Sequence, residues 1–138
     1  MLRALVLTLL LALSPAFAFA GEAEIRAARS SITAQIDAFR DGDDERAYSY
    51  TAPSVKRVFP TVDRFMLMVM SGFQPIYRPL NYAFGTAKEV NETAIVQRVI
   101  LTGPDSRCYE ALYALERQAD GVYLITGVWL KPSASVAA

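Results

Sequence analysis

The sequence predicts an α+β domain, with N-terminal helices packed on a curved antiparallel sheet of four or slightly more strands, cone-like in outline. Three observations predict it. Apolar residues recur at steps of three and four from Ile25 to Phe39, a helical period. Beyond Gly72 the pattern changes to four strand-like runs of nine to eleven residues, at the long end of the usual strand length. The separators between these runs are short and made of turn residues, so the strands join as antiparallel hairpins. Helices first and a strand meander second is the α+β order.

Ahead of the helices, Met1-Leu2-Arg3 is followed by an apolar run from Ala4 to Leu13, a Ser14-Pro15 break, and the small-x-small triplets Ala16-Phe17-Ala18 and Ala18-Phe19-Ala20. This is the three-part order of a cleavable signal peptide over residues 1–20. The run is shorter than the ~20 residues that span a bilayer, so no stable membrane insertion is expected after cleavage. No arginine pair precedes it, which points to the general secretory pathway and a periplasmic or secreted product. A single domain is expected over residues 21–131, with 132–138 a frayed tail. The formal net charge of +0 supplies no basic field for nucleic acid. Cys108, the lone cysteine, lies in an apolar strand-like run and is expected to be buried.

In the first helix, Ile25, Ala28, Ile32, Ile36 and Phe39 form one stripe, and Asp41-Gly42-Asp43 offers a glycine to end it and an aspartate to cap the next helix. A short second helix carries Ala47, Tyr48 and Tyr50. Ser54 is expected to cap a turn through Val58-Phe59 that Pro60 closes. Thr61 caps a third helix, apolar from Phe65 to Met70 and therefore expected to be buried on most sides, with Gly72 at its end. The prolines of Gln74-Pro75-Ile76-Tyr77-Arg78-Pro79 predict an extended connection.

The strands are expected over Tyr82 to Val90, Thr93 to Thr102, Arg107 to Arg117 and Val122 to Leu130. A two-residue Asp120-Gly121 turn would pair Ala119 with Val122, Tyr113 with Val128 and Leu112 with Trp129. Tyr109, Ala111, Tyr113, Leu115, Leu124, Val128 and Leu130 would then share one face, and Leu112, Ala114, Tyr123, Ile125 and Trp129 the other. Both faces read apolar. Three helices can cover only one, so the second is expected to be buried in a homodimer through the sheet.

The stretch Gln35-Ile36-Asp37-Ala38-Phe39, then Asp44, Ala47-Tyr48, Thr51-Ala52-Pro53-Ser54, Phe59, Phe65, Met68-Val69 and Pro75 to Pro79, resembles the bacterial exported family called domain of unknown function 4864. Gln97, Tyr113-x-Leu115 and Asp120-Gly121-x-Tyr123-x-Ile125-x-Gly127 continue the likeness, with Tyr123 where the family pattern usually has tryptophan. The resemblance implies the nuclear-transport-factor-two-like superfamily: helices wrapped by a bent sheet, often dimeric through it, often with a pocket inside. That superfamily holds isomerases, dehydratases, cyclases and plain binding proteins, so the fold does not name an activity.

Chemistry is limited by the absence of histidine, which removes imidazole bases, triads and the commonest metal ligand. The acidic run from Asp41 to Glu45 lacks the glycine and closing glutamate of a calcium loop and reads as capping; no metal or cofactor is expected. Carboxylate and phenol chemistry remains, with Glu110, Asp37 and Asp44 as acids and Tyr48, Tyr77, Tyr82 and Tyr113 as donors. Glu110 sits mid-strand, where burial would raise its pKa; otherwise it pairs with Arg98 across the hairpin. Gln97 either meets a ligand or satisfies backbone at a bulge. Phe65, Met68, Tyr113 and Trp129 are aromatic or apolar candidates to line or fill a pocket. The expected function is a non-enzymatic module of the cell envelope that binds a small apolar ligand or docks on an envelope protein. A cofactor-free pocket enzyme is the alternative.

Overall fold

The computed structural model describes residues 20–133, so the signal-peptide expectation and most of the tail lie outside the described residues. Helix α1 (Ala20–Arg40) buries Ala28, Ile32, Ile36 and Phe39, the stripe read from the sequence. Gly42, at φ 69°, takes the left-handed turn out of it, and Asp43 caps α2 (Asp44–Ser49) by accepting from the Arg46 amide. Helix α1 is also closed from a distance. Arg78 Nη1 donates to the carbonyls of Phe39 (2.8 Å) and Arg40 (3.0 Å), orphan acceptors at a helix end.

Helix α3 (Pro53–Val58) starts two residues earlier than a Ser54 cap would place it, with Pro53 in its first turn, where a missing N–H costs nothing. Thr61 caps α4 (Val62–Gly72) as expected. Phe65, Met66 and Val69 of α4 are buried, yet Leu67 is 68% and Met70 44% exposed. The expectation of burial on most sides is therefore corrected: one face of α4 meets the core and the opposite face has nothing packed on it. A further one-turn helix, α5 (Gln74–Tyr77), replaces the extended connection predicted there. Pro75 falls at its start, the one place in a helix where proline fits, so the proline spacing does not forbid the turn.

Strands β1 (Asn81–Glu89), β2 (Ala94–Thr102), β3 (Cys108–Arg117) and β4 (Tyr123–Pro132) form an antiparallel sheet in the order β1-β2-β3-β4. The helices lie on one face, the α+β arrangement predicted. Strand β4 runs past the expected end at Leu130: Pro132 still pairs with Tyr109, and the Ser133 amide donates to the Cys108 carbonyl at 2.9 Å. Cys108 itself is exposed, because it begins β3 on the face the helices do not cover, opposite Thr102.

The last hairpin corrects the two-residue turn. Gln118 donates to Val122 (2.8 Å) and its carbonyl accepts from the Gly121 amide (2.9 Å), so the loop holds three residues, with Gly121 at φ 86°. The added loop residue slips the register by one, and a bulge at Thr126 slips it back. Tyr113↔Val128 and Leu112↔Trp129 pair as expected, but Leu115 faces Ile125 and Glu116 faces Leu124. Tyr123 and Ile125 consequently enter the core and Leu124 leaves it, the reverse of the predicted faces.

Candidate functional site

Between the helices and the sheet lies a cavity of about 440 Å³. Helix α1 contributes Gln35 and Phe39 to its wall; α4 contributes Phe65, Met68 and Val69, with Phe73 and Ile76 following. Helix α3 closes another side with Ser54, Val55 and Val58. The floor is β4 around its bulge, from Ile125 to Val128.

Local chain geometry places these walls. The bulge turns the edge of β4 outward, and both backbone groups of Ile125 engage the α2–α3 linker: its amide donates to the Tyr50 carbonyl and its carbonyl accepts from the Ala52 amide, each at 2.8 Å. This parallel bridge between Thr51 and Ile125 fixes where α3 begins. Helix α3 has no buried residue and packs against β4, so it closes the cavity as a thin wall.

The polar groups in the lining are few, and no lining side chain is ionisable. Gln35 is buried, and its Nε2 donates to the Ala47 carbonyl at 3.1 Å. Thr51 is buried as well, its hydroxyl donating to the Tyr48 carbonyl at 2.6 Å. Ser54 and Thr126 supply the remaining hydroxyls. A wall of this kind can hold an apolar molecule and orient it through hydrogen bonds, and it carries no group able to move a proton at neutral pH.

Of the pocket candidates read from the sequence, Phe65 and Met68 lie in this wall, and Tyr48, Tyr77, Gln97, Tyr113 and Trp129 do not. Tyr48 stands behind it, its ring 5.3 Å from Phe65 and its hydroxyl donating to the Phe59 carbonyl. Tyr77 meets Phe39 edge-on at 5.8 Å and accepts from Arg78. Gln97 is fully buried at the β1 bulge, where Nε2 reaches the carbonyls of Gly85, Thr86 and Arg98 and Oε1 accepts from Arg29 at 2.8 Å. Of its two sequence readings, backbone satisfaction at a bulge is the one seen. Trp129 lies on the uncovered sheet face, 62% exposed.

Tyr113 packs in the core with its hydroxyl buried and without a partner among the described residues. Burial, with Tyr82 nearby, pushes this phenol well above its ordinary range. A lone buried hydroxyl costs more than it returns. Tyr113→Phe is therefore expected to raise the unfolding free energy by about 1 kcal/mol in urea denaturation. A loss of similar size would show that the hydroxyl has a partner in solution.

The acids do not converge on the cavity. Glu110 points to the uncovered sheet face, where Arg98 Nε binds its Oε1 at 2.7 Å. This bond holds the carboxyl below its ordinary pKa, opposite in direction to the rise that burial would cause. Asp37 is half-buried on α1 outside the lining, and Asp44 is exposed in the first turn of α2. Tyr82 lies on β1, edge-on to Phe84 and under the Arg40 guanidinium. Among the described residues, no group of three or more cysteine or acidic side chains could hold a metal ion.

The lining that sequence reasoning missed is Gln35, Thr51, α3 and the Thr126-Gly127 bulge. A signal for one of them was present: Gln35 lies next to the apolar stripe of α1, a polar residue where the helix meets the core. No curated protein and no solved structure matches the chain. A family model does, over residues 19–138, and that span takes in every element around the cavity: the chain belongs to the family described as Domain of unknown function (DUF4864).

Proposed function

We propose that the protein is a non-enzymatic binding module of the cell envelope whose cavity takes a small apolar ligand. The observation that carries this reading is the cavity wall: room for a small molecule, bounded by aliphatic and aromatic side chains, with no ionisable group. The same observation argues against the pocket enzyme, since Glu110 and Asp37 lie outside the wall. The N-terminal signal pattern supports export to the periplasm or beyond. Helices enclosed by a bulged sheet around a cavity support placement in the nuclear-transport-factor-two-like superfamily. Native mass spectrometry of the protein purified from its own envelope tests the ligand. A retained organic molecule that survives desalting is expected. A bare chain that also takes up no environment-sensitive apolar dye would overturn the reading.

The uncovered sheet face favours a second role for the fold, self-association. Trp129, Leu112 (39% exposed) and Ile100 (38% exposed) stand there beside Val96, Ala114 and Leu124, with the Arg98–Glu110 pair among them. An apolar face of this kind is ordinarily covered. A homodimer through this face is the proposal, and Leu112→Asp is expected to weaken it by at least about 100-fold, placing two unpaired charges in a desolvated centre. Sedimentation equilibrium at micromolar concentration reads the result. A monomeric parent protein would remove the proposal.

A further inference from the structure

The polar end of the cavity has a definite hydrogen-bonding sense. The Ala47 carbonyl can only accept, so it fixes the Gln35 amide with nitrogen towards Ala47 and Oε1 turned away. No described residue donates to that Oε1, although Gln35 is 96% buried by its 4% exposure. Thr51 has spent its one hydrogen on the Tyr48 carbonyl, leaving its oxygen as an acceptor. Ala47 and Tyr48 are consecutive, so both side chains hang on neighbouring carbonyls at the end of α2, and both line the cavity. The backbone beside them is closed too, Tyr50, Ala52 and Ile125 being bonded to one another. This end therefore offers two acceptors, Gln35 Oε1 and the Thr51 hydroxyl oxygen, beside the second Gln35 N–H, which has no partner among the described residues.

We propose that the cavity selects a neutral amphiphile carrying a hydrogen-bond donor, such as a long-chain or terpenoid alcohol, with its hydroxyl on Gln35 and Thr51 and its chain among Phe65, Met68 and Val69. This rests on the reading of the cavity as a ligand site. A carboxylate would meet two acceptors and no cation, and the neutral donors of the lining, the second Gln35 N–H and the Ser54 and Thr126 hydroxyls, would not replace the hydration it gives up. An ether or hydrocarbon would leave the Gln35 oxygen unpaired in a dry site, a cost that builds specificity for the donor.

Three matched probes test it by isothermal titration calorimetry at pH 7.5: 1-octanol, octyl methyl ether and octanoate. The alcohol is expected to bind about fivefold or more tightly than the ether, the worth of one hydrogen bond. Octanoate is expected to bind at least about tenfold more weakly than the alcohol. In Gln35→Leu and Thr51→Val the ether is expected still to bind, which reports a folded cavity, while the alcohol loses its advantage. Octanoate binding as well as the alcohol would overturn the inference, as would an alcohol preference that survives in both variants. In those cases the cavity would remain a ligand site of another selectivity. Failure of all three probes would overturn the cavity reading and this inference with it.

Discussion

Gln97→Leu is expected to destabilise the protein by about 3 kcal/mol, among the largest effects of any single polar substitution in the core. Gln97 has no exposed surface and sits where β1 loses register with β2, between Phe84 and Ala87. A bulge leaves backbone groups without ladder partners, and burial forbids water to replace them. Gln97 takes that place. Its amide nitrogen serves the carbonyls of Gly85 (3.1 Å), Thr86 (3.3 Å) and Arg98 (2.7 Å), and its oxygen receives Arg29 from α1. Leucine has nearly the same volume, so little cavity forms; the loss is that of buried carbonyls left unpaired and of one guanidinium hydrogen bond. Arg29 would keep only its bond to the Gly85 carbonyl, at 3.2 Å, and its place over the Phe84 ring. Urea denaturation should show a lower midpoint at an unchanged slope, since the buried surface is unchanged. A loss below about 0.5 kcal/mol would mean that the bulge holds without Gln97.

The sequence made the long elements legible because each is decided by one strong local cause. The stripe from Ala28 to Phe39 can be buried only as a helix, and Asp43 and Thr61 cap where their side chains can reach a free amide. The strand runs are separated by turn residues, and their ends shift by only one or two positions. The misses share a different cause. The proline spacing from Gln74 to Pro79 predicts an extended connection, although Pro75 stands at a helix start, where proline is compatible. The faces of β4 depended on one extra residue in a turn and one in a bulge; the two cancel over Tyr113 and Leu112 but exchange Leu124 with Ile125. Cys108 and α4 were judged by the composition of their neighbours. What decides burial is which face the helices cover, and that is a tertiary fact.

The candidate site was legible at Phe65 and Met68 as pocket candidates and, as members of a family-like pattern, at residues such as Gln35, Thr51 and Gly127. Phenols and carboxylates drew attention because they carry chemistry. In the structure they cap, stack or pair: Tyr48 ties α2 to Phe59, Tyr77 supports Phe39, and Glu110 binds Arg98. The groups that face the cavity are ones whose sequence signal is weak, an amide and hydroxyls, and their significance comes from what their hydrogens are already bonded to. Such bonds join residues far apart in the chain, as Gln35 on α1 and Ala47 on α2 do, and no local spacing encodes them.

Met68→Trp is expected to separate binding from stability in opposite directions. Met68 is half-buried on α4, packed against the core and also forming part of the cavity wall. An indole in place of its thioether chain would extend into that space. Overpacking ordinarily costs about 1–3 kcal/mol because neighbours must move, but here the volume is already empty. The added apolar burial should leave the unfolding free energy unchanged or raise it by about 1 kcal/mol. Binding of an alcohol such as 1-octanol should weaken by at least about 100-fold, since the indole occupies the ligand's volume. Met68→Ala should do the reverse, lowering stability by about 1–2 kcal/mol while retaining binding. Gain in one property with loss in the other is the signature of a site kept open for a ligand, because a protein selected for packing alone would fill it. If Met68→Trp costs several kcal/mol, the space is not open in solution, and the cavity cannot be the site of a bound molecule.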